Sequence, residues 1–215
     1  MKTIILSVAL IALSMGSFAQ SEKFQKVMQQ NIGLLDSAKT PEQYVSLAAT
    51  FERIGDAEKS QWLPYYYAAL ANISRGFTDE KANKDEVADK ADGLIAKAEA
   101  IDSKNSEIAL LKSMAATLHM IVDPMSRWQK YGMMQREALE NAKQFDENNP
   151  RVYYWEAQNT MHTPAQFGGG KDKAKPIFEK SLGLYKTFKP VNSLYPTWGQ
   201  ATAEKMLAEC NEKGD

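Results

Sequence analysis

The sequence of 215 residues holds one cysteine and two histidines. That excludes an internal disulfide framework, a thiolate zinc cage and a three-histidine metal centre. Charge of one sign is also missing. Lys and Arg total 26 against 27 Asp and Glu, a net charge of −1, so no attraction to a nucleic-acid backbone is expected. Beyond the N-terminus no apolar run reaches the roughly 20 residues of a membrane span, and no membrane insertion is expected. Neither HExxH, nor an acidic calcium loop, nor a nucleophile elbow occurs. With no acid–base or nucleophile constellation, the chain does not read as an enzyme.

What is present begins with an export signal. Met1-Lys2 supplies a positive start, Thr3 to Leu13 an apolar run, and Ser14-Met15-Gly16-Ser17-Phe18-Ala19 a small-residue cleavage region. Cleavage after Ala19 would leave a single domain over 20–215. No cysteine follows the apolar run to carry a lipid anchor, so a periplasmic or secreted location is expected. The lone Cys210 fits an oxidising compartment.

The remainder reads as helix. Val87, Ala91, Leu94, Ala98 and Ile101 step by four and three, as do Ile108, Leu111, Ala115, Leu118 and Val122. Tyr131, Met134, Ala138, Ala142 and Phe145 form a further stripe, and Ile177, Ser181, Leu184 and Phe188 a weaker one. Such spacing gathers apolar residues on one helical face, and the strict alternation of a strand is absent. Thr40-Pro41-Glu42-Gln43, Asp123-Pro124 and Asn149-Pro150 read as caps followed by proline at the first helical position. If Asp172 caps the next helix, Pro176 falls in its first turn, where its missing N–H costs little. About nine helices with short connections follow.

These helices repeat. Tyr65-Tyr66-Tyr67-Ala68-Ala69 recurs as Tyr153-Tyr154-Trp155-Glu156-Ala157, two steps of 44 further on, with Ala109-Leu110-Leu111-Lys112-Ser113 halfway. Lys97 to Asn105 matches Asn141 to Asn149 at the same step. A fixed period of this size marks stacked units that cannot bury their faces alone.

At these residues the chain resembles tetratricopeptide (TPR) repeats. Tyr65…Ala69, Ala109…Ser113 and Tyr153…Ala157 take the first-helix pattern of a large residue followed by a small one. Asp146-Glu147-Asn148-Asn149-Pro150 resembles the closing turn. The step of 44 exceeds the family's 34 by about ten residues. The chain is also similar to secreted bacterial TPR-like proteins in which a Phe-Gly-Gly loop opens a Lys-rich helix, as Phe167-Gly168-Gly169-Gly170-Lys171 does. That group implies no activity. The resemblance implies an all-α solenoid of about nine antiparallel helices, with a first-helix period of 44. It also implies that Tyr66, Leu70, Leu110, Met114, Tyr154 and Gln158 face a concave groove, and His162 extends the row by one turn. Tyr67 and Trp155 should point towards the neighbouring repeat.

Other features invite sharper chemistry. Gly168-Gly169-Gly170-Lys171 suggests a phosphate cradle, but Ala165 and Asp172 stand where a P-loop needs Gly and Ser or Thr, so a turn is expected. His119 and His162 lie 43 residues apart and lack an obvious third ligand, so neither a metal nor a cofactor is expected. Asp79 to Asp92 carries six acidic residues against three lysines, and Lys171 to Lys189 six lysines against two acids, as solvated helix faces do. The tail Asn192 to Gly199 mixes aromatics with turn residues and should fold back to cap the last repeat. The functional reading is an exported scaffold or adaptor that binds a peptide or protein segment in its groove. The alternative is a small-molecule or glycan binder using the aromatic-rich helices.

Overall fold

The computed structural model describes residues 22–212, and the export segment and its cleavage point lie outside them. Nine α-helices and no strand occur among the described residues. In chain order they are α1 (22–36), α2 (Pro41–Glu58), α3 (Trp62–Thr78), α4 (Lys84–Glu99) and α5 (Ser106–Met120). Then come α6 (Pro124–Phe145), α7 (Pro150–His162), α8 (Lys171–Tyr185) and α9 (Gln200–Asn211), with a short 3-10 turn at Ala165–Phe167. None of the described helices is long and apolar enough to cross a membrane.

The caps act where the sequence puts them. The Gln43 N–H donates to Thr40 Oγ1 while Gln43 Oε1 accepts from the Thr40 N–H, closing a capping box. Asp123 accepts from the Ser126 N–H and Asn149 from the Arg151 N–H. One helix start differs. Gly170, at φ 104°, caps α8, so the helix begins at Lys171 and Pro176 lies inside it rather than in its first turn. That backbone is open to glycine and strained for other residues, and Asp172 falls in the first turn of the helix instead of at its cap. Its buried face is accordingly Ala174, Phe178, Ser181 and Tyr185.

The repeat is structural. Helices α3, α5 and α7 begin at Trp62, Ser106 and Pro150, a step of 44 each. Successive helices pack side by side, and α3, α5 and α7 also pack on one another as an inner layer, with α4, α6 and α8 outside. The small residues Ala69, Ser113 and Ala157 are fully buried where these helices meet. Gly76 serves the same end, because a Cβ there would run into the Leu118 side chain of α5. The α6 stripe is only partly core. Ala138 and Ala142 are buried, whereas Met134 and Phe145 line an open cleft against α4 and α5.

A buried ion pair ties the inner layer together. Glu107 on α5 accepts from Arg151 Nε and Nη2 on α7 at 2.8 and 2.6 Å, and both side chains are fully buried. Asn149 Nδ2 donates to the same oxygen, and the Tyr66 hydroxyl of α3 donates to the other at 3.0 Å. Burial opposes the Arg151 charge, but the Glu107 carboxylate more than offsets this and holds its pKa above the ordinary value.

Candidate functional site

The tail decides where an open site can be. After α8 the chain runs back across the inner layer instead of capping only the last repeat. The Tyr67 hydroxyl donates to the Leu194 carbonyl at 2.8 Å, Trp198 Nε1 donates to the Tyr66 hydroxyl at 2.8 Å, and Tyr195 packs edge-on against Trp62. The Tyr185 hydroxyl holds the Trp198 carbonyl at 2.8 Å. Gly199, at φ 106°, then turns the chain into α9 against that same hydroxyl. The tail thus covers one end of the expected groove and leaves the other open.

The open part is a cleft of about 790 Å³. Its aromatic and apolar wall comes from Tyr44, Leu70, Phe77, Met114, Tyr154, Trp155 and Trp198. Phe77 and Trp155 pack with ring centroids 5.7 Å apart, and Tyr154 meets Trp198 edge-on at 6.1 Å. Polar edges come from Ser74, Thr78, Gln158 and the segment from Thr197 to Thr202 that leads into α9. The charged side chains in the wall, Asp36 and Glu204, are both acidic. The size, and an aromatic wall edged by polar groups, suit a small-molecule site. Gln158 Oε1 is buried there with no hydrogen-bond partner, an unusual state for a buried amide. Burial pushes the Tyr154 phenol up to about 12, so it is neutral near pH 7.

Of the residues expected in the groove, Leu70, Met114, Tyr154 and Gln158 line this cleft. The others do not. Tyr66 is fully buried beneath Trp198, and its hydroxyl, held among Glu107 and Trp198, has a pKa well above the ordinary value because of burial. Leu110 is wholly core, and His162 is exposed at the end of α7 outside the cleft wall. Trp155 reaches the neighbouring repeat as expected, donating to Ser113 Oγ at 3.2 Å, but it also lines the cleft. Tyr154 is both wall and core, packed in a cluster with Ala157, Phe178 and Ala203. Removing it would therefore cost stability as well as contact. The wall residues Tyr44, Phe77 and Trp198 carry no repeat signature, because three different segments supply them.

Two further motifs are settled by geometry. In the Gly168 to Gly170 loop, Gly169 donates to the Pro164 carbonyl and Gly170 to the Thr160 carbonyl at 2.9 Å, so these N–H groups are used within the turn. His119 is not partnered by His162. It is buried at the end of α5, facing Asp85, Asp89 and Asp92 of α4.

No family model and no curated protein matches the chain, so the tetratricopeptide resemblance rests on residue pattern and helix pairing alone. Among solved structures it is similar to the HusA haemophore from Porphyromonas gingivalis. The two share 39% identity over 87% of this chain and 92% of that one, with a TM-score of 0.79.

Proposed function

This chain belongs to the family of the HusA haemophore, and we propose that it is an exported protein that binds haem in the cleft between α3, α5, α7 and the tail. The observation that carries the reading is the wall itself. Tyr44, Phe77, Tyr154, Trp155 and Trp198 surround a space suited to a flat, largely apolar ring. The kinship favours a small ligand over a peptide, and so does the tail, which lies across the part of the groove an extended segment would need.

The wall also says how the ring would be held. Among the side chains lining the cleft, those of the kinds that usually hold haem iron are the Met114 thioether and the Tyr44 and Tyr154 phenols. Tyr44 already donates to the Ala38 carbonyl at 3.0 Å, and Tyr154 is neutral. Affinity therefore comes mainly from burying the ring's apolar body, with Met114 the readiest donor. Asp36 and Glu204, the charges in the wall, would repel the anionic propionates and favour their lying towards solvent. The export signal read over residues 1–19 supports capture in the periplasm or outside the cell.

Titration of residues 20–215 with haemin should give a saturable, one-to-one change in the Soret band. Ala201→Trp adds bulk at an exposed position in the wall, and should weaken binding by about ten-fold or more while leaving Tm unchanged. No saturable change with haemin, or saturable binding of peptides instead, would return the reading to a scaffold.

A further inference from the structure

A second group of side chains sits apart from the cleft, at the corner of α4, α5 and α6. Asp85, Asp89 and Asp92 are spaced by four and three residues and share one face of α4. Opposite them, in the last turn of α5, is His119, with a side chain only 6% exposed. Tyr131 of α6 stacks on its ring at 4.7 Å and 13°.

The two ring nitrogens are treated differently. Nδ1 lies 3.2 Å from Asp85 Oδ1. Asp85 is itself gripped through both oxygens by Arg127, at 2.6 and 3.0 Å, and that guanidinium holds its carboxyl below the ordinary range. Arg127 also donates to the His119 carbonyl at 3.1 Å. One edge of the imidazole is thus fixed by a carboxylate that is fixed in turn, the arrangement that orients histidines bound to metals. The other edge points to paired oxygens. Nε2 is 3.0 Å from Asp92 Oδ2 and 3.8 Å from Asp89 Oδ1, and the three donor atoms lie within 4.8 Å of one another. Ligand atoms around a tetrahedral zinc ion are about 3.4 Å apart.

Charge points the same way. The α4 lysines are committed elsewhere: Lys84 to the Gly76 carbonyl, Lys90 to Glu52, and Lys97 to Glu52 and Asp56. Arg127 answers Asp85 and leaves Asp89 and Asp92 converging on one imidazole. His119 and Asp92 also border a cleft of about 390 Å³, which leaves room for a water as fourth ligand.

We propose that Asp89, Asp92 and His119 bind a divalent cation of the zinc class, with Asp85 as the positioning residue, pinning α4 to α5. The proposal is independent of the haem reading. It is tested on chelator-treated protein titrated calorimetrically with zinc chloride alone, and with cobalt chloride followed in the visible. Wild type should take up one ion per chain with the visible bands of tetrahedral cobalt. The pair Asp89→Asn and Asp92→Asn changes side chains that are 76% and 49% exposed, so the metal-free fold and Tm should persist. Zinc affinity should nevertheless fall by about 100-fold or more, and Asp85→Asn should lower it by about 10–100-fold. Wild type without saturable zinc or cobalt uptake would overturn the proposal. A double variant that binds as tightly as wild type would do so too.

Discussion

Replacing Glu107 by Gln keeps the side chain's shape and removes the charge at the centre of the buried network. The carboxylate accepts four hydrogen bonds, from Arg151 twice, Asn149 and Tyr66, in a region where Glu107 and Arg151 are both fully buried. An amide in its place turns one of the two oxygens into a donor facing donors. It also leaves the guanidinium charged, buried and uncompensated, with Nη1 already lacking a partner. Removing one member of a buried pair costs about 3–5 kcal/mol, far more than an exposed pair, because the surviving charge cannot regain water. For a chain of this length that corresponds to a Tm lower by about 6–20 °C. Urea unfolding followed by circular dichroism should show the loss with an unchanged m-value. The double change Glu107→Leu with Arg151→Met removes both charges and should recover at least half of the loss. A Glu107→Gln protein within about 1 kcal/mol of wild type would refute the claim that this pair locks α3, α5 and α7 together.

Trp155→Ala empties packed space and leaves Ser113 without its indole donor, and should cost about 3–5 kcal/mol in denaturant unfolding. Gly76→Ala pushes a methyl into Leu118 and should cost about 1–3 kcal/mol in the same assay. Glu52 is held below its ordinary pKa of 4.5, first by the hydrogen bond from Lys90 and then by Lys97, joining α2 to α4. Its depressed pKa adds stability that is fully present above 4.5 and lost as pH falls through the lower folded value. The gap of about 0.3–1 kcal/mol between wild type and Glu52→Gln should therefore close in acid.

The parts of the fold written locally were legible in the sequence. Thr40, Asp123 and Asn149 cap the helices they precede, and the step of 44 read from Tyr65, Ala109 and Tyr153 is the spacing of the inner helices. The start of α8 is not legible, because Gly170 supplies the cap through its backbone and offers no side-chain cap to read, whereas Asp172 has the side chain and lies in the first turn. The tetratricopeptide resemblance implies a groove-facing Tyr66. Trp198, 132 residues later, then covers it, and no repeat encodes that contact. Glu107 and Arg151 did carry a signal, opposite charges one step of 44 apart on neighbouring first helices. The acidic face of α4 read as solvated, because nothing in its spacing reveals that His119 approaches from another helix.

The proposed haem site is tested most directly by amide NMR of labelled protein with and without haemin, whose iron broadens nearby signals. Binding as proposed should remove or shift resonances of Leu70 to Thr78, Met114, Tyr154 to Gln158 and Thr197 to Glu204, which surround the large cleft. Resonances of Ile95, Met134 and Phe145, in the separate cleft beside α4, should stay in place. Broadening centred on that second group, with the first untouched, would contradict the assignment.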